Sequence, residues 1–441
     1  MPILDTRLQK KFNLYSFNTN YITVLFSKQD FINTKWFIAE KFIQLIVGIF
    51  IIPKIFNSLG VLDLGKLKFA ETFLAFFAPV LFLGLSAICI REIVFYPKRT
   101  KQILATAFYL RIFSWIFIFC GLLTFSYFFK SNELFWLYFF ICFSYFVRIT
   151  DVFEYYFYAI KKTNYIFFSK ITSLFFIVLL QYYGVQNQLG IHYFALLLVV
   201  DFLLQGIIYT IIFYFKASIS FKNWNFSMKM ANYLFKNSFP LLLSNLLVSL
   251  YISIDDFILK YYYGDSSIGL YATIDFLVIG LTWSIGFSVI NALYPSLAES
   301  YKKNQVEYYK KLNLLYKFML LFGVSIGSFY TFFGEFVLNS FFNKGFSSIT
   351  FPLKIFSWAP LFIFIGMIFE KHLINSNQLK KNVYRFILGC FLNLTFCLLL
   401  IPKYELLGAV ISLLISHFFT NLGFIIFDSE NRNHLKLIFL K

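Results

Sequence analysis

The chain has 441 residues, of which 59% are hydrophobic and 14% are charged, and its formal net charge is +18. No water-soluble domain needs that much apolar surface, and the mean hydropathy of +0.72 indicates an integral membrane protein. In a soluble protein this charge would suggest a nucleic-acid partner, but its distribution along the chain indicates another origin.

Apolar stretches long enough to cross a bilayer recur along the whole chain. A transmembrane helix needs about 20 predominantly apolar residues. The sequence therefore predicts an all-α membrane protein with about twelve spans: 36–56, 69–90, 102–128, 134–157, 164–183, 192–215, 237–262, 267–294, 312–333, 351–370, 383–401 and 405–427. The predicted domain order is an N-terminal segment 1–35, a six-helix lobe 36–215, a linker 216–236, a second six-helix lobe 237–427 and a tail 428–441.

Lysine and arginine are unevenly distributed between the two sets of connections. When the odd-numbered connections are taken as external, the internal segments contain 27 basic residues and the external ones contain 7. Cytoplasmic loops of membrane proteins carry such an excess, so both termini are predicted to be cytoplasmic. The polar and basic residues 1–35 do not resemble a cleavable signal peptide. The net charge therefore reflects membrane topology, and no nucleic-acid partner is expected.

Residues 237–280 have a counterpart 204 residues upstream. Subtracting 204 pairs three of their residues with earlier ones: Gly264 with Gly60, Gly269 with Gly65, and Asp275 with Glu71. The offset is close to half of the chain, so the two lobes are predicted to be tandem copies. Many secondary transporters are built from internal repeats, and their substrate site lies between the repeats.

The same stretch contains Asp255, Asp256 and Asp275 within apolar sequence. It is predicted to form a helix, a tight turn at Gly264 and a second helix. Charge at membrane depth is costly unless protein or water surrounds it, so these acids and their counterpart Glu71 are candidates for function.

Several short motifs occur in a fixed order along the chain. They are an Asn-Thr-x-Trp start of the first span (Asn33, Thr34, Trp36), an Ile-Arg-Glu end of the second (Ile90 to Glu92), the acidic hairpin (Ile254 to Ala272), a Tyr-Pro-Ser-Leu end of the eighth (Tyr294 to Leu297) and an Ile-Pro-Lys-Tyr motif (Ile401 to Ala409). As an ordered set they resemble the polysaccharide (O-antigen type) flippases of the multidrug/oligosaccharidyl-lipid/polysaccharide exporter superfamily. One departure is Glu405, which stands where glycine is expected.

The resemblance implies two six-helix lobes that open alternately to either side of the bacterial inner membrane. The implied cargo is an undecaprenyl-diphosphate-linked oligosaccharide, moved from the inner to the outer leaflet for O-antigen, capsule or exopolysaccharide assembly. A polysaccharide polymerase and a chain-length regulator are the protein partners that it suggests, and membrane lipids surround the chain.

A diphosphate that crosses a membrane needs cations in a water-filled cavity. The first lobe offers Lys41, Arg111, Arg148 and Lys170, each within an apolar span. Arginine can hold phosphate oxygens in a bidentate way, whereas lysine acts as a point charge. The alternative is that these long side chains extend to the inner headgroups. Arg148 and Asp151, three residues apart on one helix, could also neutralise one another.

Asp255, Asp256, Asp275 and Glu71 are the candidates for proton or Na⁺ coupling, because a carboxylate in a partly dry cavity can take up a cation. Alternatively, Asp256 marks an interface, and Asp255 caps a helix or pairs with Lys260. His417 is expected to be a hydrogen-bonded packing residue.

Two rival functions fit the sequence less well. A cation-coupled multidrug antiporter of the same fold would be expected to have few basic residues in its cavity. A membrane polymerase or glycosyltransferase usually works in a sizeable external loop, and the longest external connection here is only about residues 334–350. No Gly-rich phosphate loop is present, and the five cysteines lack metal-ligand spacing. The sequence therefore predicts a transporter, not an enzyme, with no cofactor and no metal.

Overall fold

A computed structural model of the chain describes residues 28–128, 132–160, 162–217 and 224–439. Within these ranges every regular element is a helix, so the all-α prediction is confirmed. Most of the predicted segment 1–35, and residues 218–223 of the predicted linker 216–236, lie outside the described residues.

Fifteen α-helices follow one another along the described chain. They are α1 (Lys28–Phe82), α2 (Leu85–Phe95), α3 (Thr100–Phe128), α4 (Asn132–Val147), α5 (Val152–Ala159), α6 (Thr163–Gln186), α7 (Ile191–Lys216), α8 (Met228–Asp275), α9 (Leu281–Lys303), α10 (Gln305–Phe341), α11 (Thr350–Phe356), α12 (Ala359–Asn375), α13 (Leu379–His417), α14 (Phe424–Phe427) and α15 (His434–Phe439). Short 3₁₀ turns join some of them, and π-helical segments follow α8 and α13.

Eight continuous helical stretches in the described chain are long and apolar enough to cross a membrane. Three of them, within α1, α8 and α13, are interrupted by one residue with non-helical backbone angles. Dividing these three stretches at their interruptions gives eleven candidate spans in place of eight. A bent pair, 344–356 with 359–375, meets at 46° and supplies the twelfth. The fold is thus a bundle of two six-helix lobes, as predicted.

Each interruption is a hairpin turn made by a single residue, at Gly60, Gly264 and Glu405. In a straight helix, residues 255 and 271 would be about 24 Å apart along the axis. Instead, the hydroxyl of Tyr271 donates a hydrogen bond to Asp255. The chain therefore reverses at Gly264, and the external connections predicted between these spans shrink to one residue each.

Positive φ explains the two glycine turns. Gly60 has φ 70° and Gly264 has φ 76°, a conformation that only glycine adopts without strain. Glu405 occupies the third turn with φ 50° and ψ −124°. The glycine expected at this position is therefore the residue that the backbone favours, and the chain places a strained glutamate there.

The hydrophobic core lies mainly within each lobe, and the hairpins join the lobes. Phe56 and Leu64 of α1 are buried in the core of the second lobe. Leu234 and Leu242, at the start of α8, are buried in the core of the first. Each lobe thus holds apolar residues from a hairpin of the other.

Two polar regions outside the predicted spans have defined structure. Helices α9 and α10 are separated at Asn304, whose side chain accepts hydrogen bonds from the amides of Val306 and Glu307 and so caps α10. Within the predicted tail, α15 packs against the second lobe and places the His434 ring 4.1 Å from that of His372. Burial, with a smaller contribution from His372, lowers the pKa of His434 to about 3, so its ring is neutral.

Candidate functional site

The first lobe encloses a charged cavity of about 260 Å³. Three basic residues line it: Lys41 of α1, Arg148 of the 3₁₀ turn between α4 and α5, and Lys170 of α6. Four acids line it as well: Glu40, Asp151, Glu154 and Asp201. Three of the four predicted basic residues therefore meet in one cavity.

The fourth predicted base, Arg111 of α3, joins the cavity through Asp151. Its Nη2 lies 3.8 Å from Asp151 Oδ2, and Nε of Arg148 lies 3.2 Å from the same oxygen. One carboxylate oxygen is thus shared by two guanidinium groups. Both guanidinium groups also lie over the ring of Phe82, at 4.8 Å and 4.6 Å from its centroid, as expected for cation–π contacts.

A break in the predicted fourth span positions these groups. The α-helix ends at Val147, and residues 148–151 form one 3₁₀ turn. Side chains three residues apart eclipse in a 3₁₀ helix, which brings Arg148 directly against Asp151. The sequence predicts an uninterrupted span here, and the break is what turns the Arg148–Asp151 pair into a wall of the cavity.

The lysines occupy the other side of the cavity. Lys170 Nζ lies 3.5 Å from Glu154 and 4.0 Å from Glu40. Glu154 also accepts a hydrogen bond from the hydroxyl of Tyr209. Lys41 Nζ lies 3.6 Å from Glu40. The predicted bases are therefore held by acids of the same lobe.

Asp201 of α7 differs from the other cavity acids. Its carboxylate accepts hydrogen bonds from Ser173 and Gln205 and, in the part of the chain that the structure describes, contacts no basic residue. With Arg111 included, four basic and four acidic groups surround the cavity, so its formal charge is balanced.

A second charged region lies where the hairpins α1 and α8 meet. Asp256 accepts a 2.8 Å hydrogen bond from Thr72 of the other lobe, and buried Asp255 accepts one from Tyr271. Glu71 pairs with Lys68 at 2.7 Å. Asp275 has no hydrogen-bond or ion-pair partner among the described residues, although Lys68 lies within electrostatic range of it. Within those residues, no group of three or more His, Cys, Asp or Glu side chains is arranged to hold a metal ion.

The two hairpins touch at equivalent glycines. A Cβ added at Gly65 would collide with the carbonyl of Asp265, and one added at Gly269 would collide with the carbonyl of Val61. The two contacts are related by the 204-residue offset of the sequence repeat, because 61 plus 204 is 265 and 65 plus 204 is 269. The repeat predicted from the sequence is therefore a structural symmetry at the contact between the lobes.

Some predicted pairings are wrong and others are confirmed. Asp255 does not pair with Lys260, because Lys260 instead forms an ion pair with Asp265 beside the turn. His417 is indeed hydrogen-bonded, at 2.7 Å to the hydroxyl of Tyr251. Asp256 does lie at the interface between the lobes.

Sequence reasoning missed three charged residues. Asp201 lines the cavity, Lys68 binds Glu71, and Arg385 is buried, donating to the Gly366 carbonyl at 2.9 Å. Arg385 lies at the start of the predicted span 383–401, and a basic residue within an apolar span was the available signal.

Comparisons with known proteins identify the family of the chain. The profile of a family described as "Polysaccharide biosynthesis protein" matches residues 32–301, more than half of the chain. The chain belongs to this family. The matched range contains the whole charged cavity and both members of the hairpin repeat.

One named relative is similar to the chain in sequence, and two solved structures are similar to it in fold. The capsular polysaccharide biosynthesis protein CapF of Staphylococcus aureus is 32% identical over 184 residues, or 41% of this chain and 45% of that protein. The alignment thus spans less than half the length of that relative.

The inward-facing form of a MATE family multidrug resistance transporter of the MOP superfamily has a TM-score of 0.73 at 13% identity, covering 89% of this chain and 95% of the other. A MOP superfamily transporter from Pyrococcus furiosus, described as having a binding pocket of reversed polarity, has a TM-score of 0.63 at 12% identity, covering 96% and 99%. The transporter fold implied by the sequence motifs is therefore confirmed.

Proposed function

We propose that this protein is a flippase that moves an undecaprenyl-diphosphate-linked oligosaccharide from the inner to the outer leaflet of the bacterial inner membrane. The observation that carries the proposal is that Lys41, Arg148 and Lys170 line one cavity and that Arg111 joins them through Asp151. The cargo would feed capsule, O-antigen or exopolysaccharide assembly.

The chemistry of the cavity suits a diphosphate headgroup. Guanidinium groups hold phosphate oxygens with paired, charge-assisted hydrogen bonds. Polar side chains such as Gln44 and Gln205 line the same space and can bond sugar hydroxyls. The cavity is too small for a whole repeat unit, so we assign it to the phosphates and the first sugar only.

Alternating access would move the cargo without chemistry, so the protein is proposed to be a transporter rather than an enzyme. The hairpin contact at Gly65 and Gly269 would close one side while the charged cavity receives the headgroup from the cytoplasm. Asp275, Asp256, Asp255 and Glu71 remain the candidates for coupling this cycle to a proton or Na⁺ gradient. A polymerase and a chain-length regulator would use the delivered units.

The rival proposal is a multidrug antiporter, whose cationic substrates need acids without basic partners. Of the four cavity acids, Glu40, Glu154 and Asp151 contact lysine or arginine, and Asp201 alone contacts no basic residue in the described chain. This arrangement favours an anionic cargo, which would replace a carboxylate as the partner of the basic side chains.

The test replaces the cavity arginines in cells that depend on this protein for surface polysaccharide. Arg148→Ala and Arg111→Ala should each lower surface polysaccharide at least tenfold at normal protein abundance, because a phosphate contact is lost. Arg148→Lys should restore only part of the loss, since the planar fork is absent. Arg99→Ala is the matched control, because Arg99 is exposed in the turn 97–99 of the same lobe.

Lipid-linked precursor should accumulate at the inner leaflet in the defective variants. Normal polysaccharide in both alanine variants would contradict the proposal. Loss of drug resistance without loss of polysaccharide would favour the antiporter.

A further inference from the structure

We propose that Asp151 is an internal anion that occupies the place of a substrate phosphate between Arg111 and Arg148, and that the substrate displaces it. This inference rests on the proposed function, because it assigns a phosphate-bearing ligand to the same cavity. The chemical class is a phosphate or diphosphate ester.

The first observation is the geometry of the shared oxygen. Asp151 Oδ2 lies 3.2 Å from Nε of Arg148 and 3.8 Å from Nη2 of Arg111. A carboxylate that meets two guanidinium groups through one oxygen uses only a fraction of their donors. A phosphate group, with more oxygens, can engage both forks and make more charge-assisted hydrogen bonds.

The second observation is an unused donor. Arg111 is 1% exposed, and its Nε has no hydrogen-bond partner among the described residues. A buried donor without a partner is unfavourable, because it loses its hydrogen bond to water and gains none in return. The other polar contacts of the Arg111 guanidinium are Asp151 and the Tyr155 hydroxyl at 3.3 Å, and the group also lies over the Phe82 ring. The arginine is thus held by its neighbours but left with donor capacity for a ligand.

The third observation is the charge of the cavity. Four bases and four acids surround it, so a diphosphate gains little net attraction while Glu40, Asp151 and Glu154 keep their basic partners. Of the cavity acids, only Asp151 contacts arginine in the described chain. Displacement of this one carboxylate therefore releases two guanidinium groups at once. Asp151 is 19% exposed on the cavity wall, so it can turn toward water when displaced.

The exchange of Asp151 and the substrate phosphate on the arginines also accounts for release of the substrate. A site made only of cations would hold a diphosphate tightly and discharge it slowly. When the phosphate leaves, Asp151 returns to the arginines and offsets the cost of leaving the two guanidinium charges, one of them buried, without an anion. Asp151 therefore lowers affinity and raises turnover.

The experiment measures the binding of inorganic pyrophosphate to the full chain in lipid nanodiscs by calorimetry. Asp151→Asn should bind it at least tenfold more tightly than the wild type, and Asp151→Glu should stay near the wild type. The matched control is Asp201→Asn, which removes the same charge from the same cavity but contacts no arginine, and should shift affinity less than threefold. Adding Arg148→Ala to Asp151→Asn should abolish the gain.

The source of the phosphate is distinguished by repeating the titration with a polyprenyl diphosphate in the nanodisc. If Asp151→Asn binds both ligands more tightly than the wild type does, the site is assigned to the diphosphate itself. A gain only with the lipid would show that the tail is required, and would still support displacement.

Other outcomes would overturn the proposal. Equal gains in affinity for Asp151→Asn and Asp201→Asn would mean a general charge effect. An affinity of Asp151→Asn that is unchanged for both pyrophosphate and the polyprenyl diphosphate would mean that Asp151 does not compete with the phosphate. Failure of Asp151→Asn to fold, judged by its melting curve, would make the carboxylate part of the framework. Each of these results is compatible with a loss of polysaccharide in Arg148→Ala. The displacement of Asp151 can therefore be refuted while the proposed flippase function stands.

Discussion

The hairpins of α1 and α8 are copies of one another in backbone but not in charge. Both turn at a glycine with positive φ, Gly60 and Gly264, and they touch through Gly65 and Gly269. Eleven residues after each turn comes an acid, Glu71 or Asp275. Glu71 is bound to Lys68 at 2.7 Å, whereas Asp275 has no such partner in the described chain and shares its hairpin with Asp255 and Asp256.

The difference shows which features a repeat retains. The turn and the close approach need glycine for steric reasons, and both copies keep it. The charge next to the contact has no steric requirement, so the copies diverged. A shared position in a repeat therefore predicts a shared backbone and does not predict a shared chemical role.

The largest expected effect distinguishes the two acids. Asp275→Asn should abolish gradient-driven transport, because the nearly isosteric amide cannot release or take up a cation. Glu71→Gln should lower transport less than threefold, since it breaks only a partly exposed ion pair, and such pairs contribute about 0–1 kcal/mol.

Reconstituted transport, with and without an imposed proton or Na⁺ gradient, measures this contrast, and each variant is the control for the other. Gradient-independent activity of Asp275→Asn equal to that of the wild type would remove Asp275 from the coupling mechanism. Equal, severe defects in both variants would mean that the chemical roles did not diverge.

A smaller effect tests the symmetry of the contact. Gly65→Ala and Gly269→Ala should reduce transport severalfold and to similar extents, because each methyl group meets a backbone carbonyl that cannot rotate away. Gly190→Ala is the control, since a Cβ there meets nothing within 4 Å. Transport and melting temperature should be measured together. A defect at only one of the two glycines would contradict a symmetric contact.

The smallest effect concerns the third turn, where Glu405 replaces the glycine of the other two hairpins. Glu405→Gly relieves a strained φ of 50°, while Glu405→Ala keeps the strain, and both lose the 2.6 Å hydrogen bond from Ser267. Glu405→Gly should therefore be more stable than Glu405→Ala by about 1–3 kcal/mol. Thermal unfolding in detergent measures the difference. Equal stability would show that the turn is not strained.

Composition and periodicity determined the class of this protein before any contact was known. The number of spans follows from bilayer thickness, and the predicted topology from the 27 and 7 basic residues on the two sides. The repeat was visible because positive φ favours glycine, so Gly60 and Gly264 mark equivalent turns. The four bases of the first lobe stood out because charge is rare in apolar spans.

The pairing of those charges was decided only by the tertiary structure. Apolar helices of similar composition can pack in many rotations, and a sequence does not state which face meets which neighbour. The 3₁₀ turn at residues 148–151 and the approach of α3 bring Arg111 and Arg148 to one oxygen of Asp151. Packing between the two arms of the α8 hairpin likewise pairs Lys260 with Asp265, and Asp255 instead accepts a hydrogen bond from Tyr271. Ion pairs depend on distances of a few ångströms, and those distances are set by how the helices pack against each other.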